Sequence, residues 1–249
     1  MGWSLSRNEQ VMRFLLLLLL AFNCYGDDLT AKSWLIADQN GRIIDGQHTD
    51  HIRPIASITK LLTAIVILES GANMSEDIKT EAFGPISRHE LLDMAIVRSN
   101  NVAATLLCDS YPTGYKMCII RMNEKLQELG MTKSKVYDST GLDPRNKSTA
   151  EELVLLVKEA SRYPAIISSS QKSGVEVKIR KRWVFFRNTN PLIGIRHDIL
   201  VSKTGWTRRA GGCLVMYLST DKGYRTVVIL GSQNTHTRVP EAEFIAQNY

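Results

Sequence analysis

The sequence is poor in the residues that build metal centres. Its 249 residues include four cysteines and five histidines. No two cysteines have CxxC spacing, and the histidines do not cluster at the spacing of metal ligands. Nor do they have the carboxylate and serine partners of a Ser-His-Asp triad at a suitable spacing. We therefore expect no metal site, no other cofactor and no such triad.

Only one long apolar run is present. FLLLLLLAF at residues 14–22 has about half of the ~20 residues that a membrane-spanning helix needs. Arg7 and Arg13 precede the run, and Cys24-Tyr25-Gly26 follows it. This pattern is typical of a signal peptide, so we predict cleavage of residues 1–26 and export to the periplasm. An uncleaved anchor or a lipid-modified Cys24 is the alternative.

No linker, internal repeat or Pro-rich or Ser-rich segment divides the remaining chain. We therefore predict one domain over residues 27–249. The formal net charge of +6 falls to +5 without the leader, which carries two arginines and one glutamate. This charge suits an anionic polymer or membrane surface, so peripheral membrane or wall association is an expectation. KIRKRW at Lys178–Trp183 is interpreted as a solvated hairpin face, and no nucleic-acid partner is expected.

The hydrophobic pattern predicts strands at both chain ends and helices between them. SWLIADQNGRIIDG predicts a hairpin that turns at Asn40-Gly41. Ser followed three residues later by Glu predicts helix starts at Ser87 and Ser148, whereas SSSQKSG around Ser169 has the composition of a loop. Other predicted helices are SITKLLTAIVILE, VAATLL, YKMCIIRMNEKLQELG and VPEAEFIAQNY, and other predicted strands are GVEVKIRKRWVFF, ILVSKTG, GCLVMYLST and YRTVVILGS.

Ser57 and Lys60 form the pattern Ser-x-x-Lys at the start of a predicted buried helix. Residues three apart project from one face of a helix, so the hydroxyl and the amine can meet. A lysine that burial keeps neutral can take the serine proton and make the hydroxyl nucleophilic. Ser169 and Lys172 have the same spacing in the predicted loop, where a base would be hydrated. We therefore interpret the first pair as the reactive one.

Two further motifs follow in a fixed order. Ser99-Asn100-Asn101 lies between two predicted helices, and Lys203-Thr204-Gly205 lies on a predicted strand. The three motifs together are the signature of penicillin-binding proteins and class A β-lactamases. From about Lys32 to Ser232 the chain resembles the low-molecular-mass D-alanyl-D-alanine carboxypeptidase and endopeptidase family, and it is most similar to the endopeptidases. The segments that carry the resemblance are PIASITKLLTA, VRSNNVAATLL, YDSTGLDPRNKSTAEEL, NTNPLI and SKTGWTRRAGGCLVMYL.

The resemblance implies a mixed α/β fold of the serine β-lactamase and DD-peptidase (transpeptidase-like) type, with an antiparallel sheet from both chain ends on a helical middle. It implies that residues 27–249 are a DD-peptidase catalytic domain that hydrolyses D-alanyl bonds in peptidoglycan peptides and is covalently inhibited by β-lactams. The alternatives are a carboxypeptidase with the same mechanism, a β-lactamase and a non-catalytic penicillin-binding sensor. STAEEL lacks the ExxLN arrangement of class A β-lactamases, and the intact motifs argue against a sensor.

The resemblance also implies catalytic roles for individual residues. Ser57 would be the acylated nucleophile and Lys60 its general base. Ser99 and Asn101 would complete a polar bridge toward Lys203. Like charges at short range disfavour double protonation, so we expect Lys203 to lower the pKa of Lys60.

Substrate binding is implied for the strand motif. Lys203 would hold substrate charge, and Thr204 and Gly205 would pair with an extended peptide at the strand edge. The backbone N–H groups of Ser57 and Trp206 would stabilise the oxyanion.

Two positions depart from the family pattern. Asn100 stands where aspartate is common in the family, and Gly212 stands where the endopeptidases often carry arginine.

The sequence leaves one disulfide open. Cys108 and Cys118 bracket SYPTG and could form a disulfide in an oxidising compartment, or they could remain two buried thiols.

Overall fold

Strands from both ends of the chain form one five-stranded antiparallel sheet. The structure is a computed structural model that describes residues 29–196 and 198–249, and the predicted signal peptide lies outside these residues. The strands are β1 Ser33–Asp38, β2 Ile43–Gln47, β3 Arg53–Pro54, β4 Asp77–Thr80, β5 Gly84–Ser87, β6 Lys147–Ser148, β7 Gly174–Ile179, β8 Arg182–Arg187, β9 Ile199–Thr207, β10 Gly211–Thr220 and β11 Gly223–Ser232. The sheet order is β2-β1-β11-β10-β9, so the first hairpin pairs with the last strand of the chain.

Most of the helices come from the middle of the chain. A short 3-10 helix, Ala56–Ile58, leads directly into the first α-helix. None of the described helices is long and apolar enough to cross a bilayer. The helices are α1 Thr59–Glu69, α2 Arg88–Val97, α3 Asn101–Asp109, α4 Tyr115–Glu128, α5 Ala150–Ala160, α6 Pro164–Gln171 and α7 Arg238–Asn248.

Helix α1 is buried on all sides, as its uninterrupted apolar sequence predicts. Every residue from Thr59 to Ile67 is buried. Even the hydroxyl of Thr63 is satisfied inside the protein, where it donates to the carbonyl of Ser139 at 2.7 Å. The first turn of α1 is therefore fixed by packing, and the residues at its start have a defined position.

One of the two predicted helix starts is confirmed and the other is wrong by one residue. Ser87 and Glu90 form the reciprocal capping box at the start of α2. At α5 the cap is Thr149, whose hydroxyl accepts from the N–H of Glu152 at 3.1 Å. Ser148 instead belongs to β6, where it pairs with Arg53. The pairing of the chain in β6 thus shifts the start of the helix.

The loop predicted for SSSQKSG is also wrong, because α6 extends to Gln171. The hydroxyl of Ser169 is fully buried and donates to Asp93 at 2.7 Å. The Lys172 ammonium group binds the other oxygen of the same carboxylate at 2.6 Å. Because Asp93 supplies partners inside the protein, these polar residues can end a helix. The second Ser-x-x-Lys pair therefore has a structural role, since both of its side chains bind Asp93.

Cys108 and Cys118 form a disulfide between the end of α3 and the first turns of α4, with a Cα–Cα distance of 5.5 Å. This settles the alternative that the sequence left open. Cys213 is a buried free thiol, and burial raises its pKa to about 11. At neutral pH this thiol stays protonated, which makes it a poor nucleophile.

Two glycines contact the backbone of the short 3-10 helix. Ala56 has an unusual φ of +48°, and Gly141 has a φ of +84°. A Cβ atom on Gly141 would lie 1.8 Å from the carbonyl oxygen of Ala56, and one on Gly205 would lie 2.9 Å from the nitrogen of Ser57. Only glycine fits at these two contacts.

We predict that Gly141→Ala destabilises the fold far more than Gly130→Ala. Gly130 has a similar φ of +76°, but a Cβ there would meet no atom within 4 Å. Gly130→Ala should cost about 1 kcal/mol of unfolding free energy from backbone strain alone, and Gly141→Ala at least about 3 kcal/mol. Denaturant unfolding measures both values. Equal losses in the two variants would show that the contact with Ala56 is unimportant.

Candidate active site

The Ser57 hydroxyl and the Lys60 amine meet at the start of α1. The Oγ of Ser57 lies 2.8 Å from the Nζ of Lys60. Lys60 is completely buried, whereas Ser57 is partly exposed. The pair predicted from the motif thus combines an accessible hydroxyl with an amine that water does not reach.

Two oxygen atoms complete the surroundings of the Lys60 amine. The Oδ1 of Asn101 lies 2.8 Å from Nζ, and the carbonyl oxygen of Thr140 lies 2.6 Å from it. Both atoms can only accept hydrogen bonds, whereas the hydroxyl of Ser57 can also donate. When Lys60 is neutral, its lone pair therefore faces the Ser57 hydroxyl. This arrangement favours proton transfer from Ser57 to Lys60.

Burial lowers the pKa of Lys60 from 10.5 to about 7, and the charge of Asp138 counteracts part of this shift. An amine in a low-dielectric site loses the solvation that stabilises its charged form. A substantial fraction of Lys60 is therefore neutral at physiological pH, which is the form that a general base requires.

Asp138 also organises the loop that brings Thr140 to Lys60. One carboxylate oxygen accepts from the N–H groups of Thr140 and Gly141, both at 2.6 Å. The buried amide of Asn146 donates to the carbonyl of Asp138 at 3.0 Å and to the hydroxyl of Thr59 at 3.2 Å. The loop is thereby fixed to the first turn of α1. Sequence analysis included this segment in the resemblance but assigned it no role.

The residues of the Ser99-Asn100-Asn101 motif have different roles, some structural and some in the site. Asn100 caps α3, because its side chain accepts from the N–H of Ala103 at 2.9 Å. Asparagine and aspartate cap helices about equally well, so this departure from the family pattern preserves the cap. Asn101 binds Lys60, and Ser99 has a φ of +60°. Among the described residues, no hydrogen bond joins the Ser99 hydroxyl to Lys60 or Lys203.

Strand β9 lies at the edge of the sheet and carries the second lysine. The Lys203 amine is buried and donates to the carbonyl of Thr204 at 3.0 Å. The hydroxyl of Thr204 donates to the hydroxyl of Thr189 at 2.6 Å, so this side chain holds the NTNPLI segment in place. Trp206 is half exposed just beyond Gly205. Any peptide that pairs with this edge must therefore use backbone groups of β9.

Burial is the largest cause of the lowered pKa of both lysines. At Lys203 the charges of Lys60 and Arg238 lower the pKa further. Because repulsion between two charges is mutual, it disfavours protonation of both amines at once, which is the effect predicted for this pair. The site thus holds two buried amines that both resist protonation.

Arg238 is a site residue that sequence analysis missed. Its guanidinium group is buried, and Nη1 donates to the carbonyl of Gly205 at 2.6 Å. The same region explains Gly212, because a Cβ there would lie 2.4 Å from the carbonyl oxygen of Asn234. An arginine at position 212 would collide with this backbone. The sequence predicted a terminal helix from Val239, one residue after Arg238, and nothing in it pointed to the contact with β9.

The chain is similar to known proteins in sequence and in fold. It is 32% identical to the D-alanyl-D-alanine endopeptidases of Pseudomonas aeruginosa and Escherichia coli, over 86% of this chain and 76% of each relative. Penicillin-binding protein D2 of Listeria monocytogenes, in its cefotaxime-bound form, has the same fold. This structure aligns with a TM-score of 0.79 and 24% identity, over 88% of this chain and 96% of the other. The predicted fold class is confirmed.

A family model described as D-alanyl-D-alanine carboxypeptidase matches residues 21–83 and 75–234. These matches cover most of the chain and include all three motifs that form the site. The predicted resemblance is therefore confirmed, and the chain belongs to the D-alanyl-D-alanine carboxypeptidase family.

Proposed function

We propose that this protein is a serine DD-peptidase that hydrolyses D-alanyl cross-links of peptidoglycan through an acyl-enzyme on Ser57. The observation that carries the proposal is the 2.8 Å contact between Ser57 and a buried Lys60 whose pKa is about 7. The relatives that are 32% identical are endopeptidases by name. Removal of a terminal D-alanine by the same chemistry is the second candidate, since the matching family model is described by that activity.

Acylation begins with transfer of the Ser57 proton to neutral Lys60. The Ser57 oxygen attacks the D-alanyl carbonyl carbon and forms a tetrahedral oxyanion, which the backbone N–H groups of Ser57 and Trp206 stabilise. Collapse of this intermediate breaks the peptide bond, and Lys60 returns the proton to the leaving amine. Water then attacks the ester and regenerates Ser57. The partly exposed hydroxyl of Ser99 is available to pass protons during these steps.

Substrate charge complements the second buried amine. The chain of a D-alanyl substrate carries carboxylate groups, and a carboxylate beside Lys203 raises the pKa that burial and Lys60 hold low. Binding of the anion is thereby coupled to proton uptake at Lys203. The open edge of β9 accepts the peptide backbone as an added strand.

The same proposal covers location and inhibition. Residues 1–26 act as a signal peptide, and residues 27–249 act as the catalytic domain outside the cytoplasmic membrane, with peripheral attachment to the membrane or the wall. β-Lactams acylate Ser57 because their carbonyl carbon takes the place of the scissile carbonyl.

Digestion of purified cross-linked muropeptides, followed by mass spectrometry, tests the activity. We expect wild-type protein to convert dimers to monomers and Ser57→Ala to give no product. Ser169→Ala is the matched control, because it removes the serine of the other Ser-x-x-Lys pair, and it should retain activity. If the only change is loss of the terminal D-alanine, the proposed activity would be that of a carboxypeptidase and not of an endopeptidase. No product from the wild type would contradict both.

The pH dependence of penicillin acylation tests the base. We expect the rate to rise about ten-fold per pH unit below pH 7 and to level off above it, because only neutral Lys60 accepts the proton. Asp138→Asn removes a negative charge that raises the pKa of Lys60. The midpoint should therefore move to lower pH.

Asp143→Asn is the control for the pH experiment. Asp143 is in the same loop, but its carboxylate binds Arg145 at the surface, so its removal should leave the midpoint unchanged. A midpoint that is the same in wild type and Asp138→Asn would argue against Lys60 as the titrating base.

A further inference from the structure

The hairpin of β7 and β8 presents two aromatic side chains to solvent. Trp183 is 66% exposed and Phe185 is 55% exposed. Alternate residues of a strand share a face, so both lie on the outer face of β8. The inner face of the hairpin packs on the core through Val175 and Val177, which are buried. Exposed aromatic pairs on an outer face of this kind mark interaction sites.

The hairpin that carries these aromatic residues is rich in basic side chains. Residues 174–187 contain five basic side chains and one acidic side chain, Glu176. Lys178 lies directly opposite Trp183 in the register of the hairpin. Within the part of the chain that the structure describes, none of the five cations forms an ion pair with a carboxylate. The five are Lys178, Arg180, Lys181, Arg182 and Arg187.

The turn of the hairpin is held in place by the neighbouring β4–β5 connection. The N–H of Arg180 donates to the carbonyl of Phe83 at 2.7 Å, and its guanidinium group donates to the carbonyl of Glu81 at 3.1 Å. At the other end, the ring of Phe185 lies over Gly174, where a Cβ would be 2.3 Å from the ring. These contacts hold both ends of the hairpin against neighbouring parts of the chain.

A third apolar residue extends this face. Phe185, Arg187 and Ile195 line a hollow of about 480 Å³, and Ile195 is 75% exposed. The outer face thus combines Trp183, Phe185 and Ile195 with Lys178, Arg187 and one carboxylate, Glu176, and the adjoining turn adds further basic residues.

We propose that this face binds the surface of an anionic lipid bilayer. The inference rests on the proposed location outside the cytoplasmic membrane and assigns the surface that makes the peripheral attachment. Tryptophan rings favour the headgroup region of a bilayer, and each nearby Lys or Arg adds attraction to anionic lipid. Aromatic side chains and cations together also characterise interfacial membrane-binding elements.

Charge argues against other occupants of the face. A second copy of the chain in a symmetric dimer would place the same five cations against each other. The sugar rings of an anionic wall polymer can stack on Trp183 and Phe185, but they offer the aliphatic Ile195 less apolar contact than lipid chains do. A bilayer surface satisfies both the rings and the cations.

Binding at this face would also set the orientation of the active site. Two residues beyond the end of β8, the N–H of Thr189 donates to the carbonyl of Val97 at 3.0 Å. The hydroxyl of Thr189 accepts from Thr204 at 2.6 Å. The hairpin is therefore connected to β9 through a short, hydrogen-bonded segment, and docking holds the substrate edge at a fixed angle to the membrane.

Cosedimentation with vesicles tests the proposal on the full chain. We expect the protein to bind vesicles of phosphatidylcholine with phosphatidylglycerol, and to bind phosphatidylcholine alone much more weakly. Trp183→Ser with Phe185→Ser should weaken binding at least about ten-fold. Replacing Lys178, Lys181 and Arg182 by glutamine should weaken it about 10²-fold.

Matched controls use exposed residues elsewhere on the protein. Ile44→Ser removes an exposed apolar side chain from β2, and the triple replacement of Lys116, Lys147 and Lys222 by glutamine removes the same charge. Both should bind vesicles like the wild type. Penicillin acylation of Ser57 should be unchanged in every variant, which verifies folding and separates this test from the proposed function.

Several results would overturn the proposal. One is equal vesicle binding by the wild type and the aromatic variant. Another is retention on an anionic polysaccharide without vesicle binding, which would assign the cations to a wall polymer. A third is a wild-type protein that does not bind vesicles and forms a dimer in sedimentation velocity. If the aromatic variant is then a monomer, the face would be assigned to contact with a second copy.

Discussion

The burial of one amine is the constraint on which the rest of this structure depends. An amine of Lys60 in water would be protonated and unable to activate Ser57. Inside the protein the amine is removed from bulk water, and the chain itself supplies three oxygen neighbours. Ser57, Asn101 and Thr140 supply them from three separate segments. Lys60 can therefore act as a base only if the fold brings these three segments to the correct positions.

Close backbone contacts hold these segments in position. Ala56 has a positive φ and lies against Gly141, while Gly205 lies against the nitrogen of Ser57. The strained turn persists because the loop and β9 leave it no room to relax. Arg238 adds a hydrogen bond to Gly205 from the last helix. The nucleophile is thus held by parts of the chain that are distant in sequence.

The parts of the site that the sequence predicted are those with a local signature. Ser57 and Lys60 were found by their spacing at the start of an apolar helix, and the sheet was found from alternating residues at both ends. Asp138 and Asn146 could not be assigned roles, because they act largely through hydrogen bonds to backbone groups. The contribution of a backbone carbonyl, such as that of Thr140, cannot be recognised in a sequence. Ser169 was placed in a loop since the partner that its hydroxyl needs, Asp93, is 76 positions away.

The position of β11 in the sheet has a consequence for the order of synthesis. This strand is made almost last. Among the described strands, it alone lies between β1 and β10 and pairs with both. Until it is available, the first hairpin and the β9–β10 pair have no strand in common. A growing chain therefore cannot assemble the sheet behind Ser57 and Lys203 before about 230 residues have been joined. The nucleophile and the substrate edge come together only in the nearly finished polypeptide.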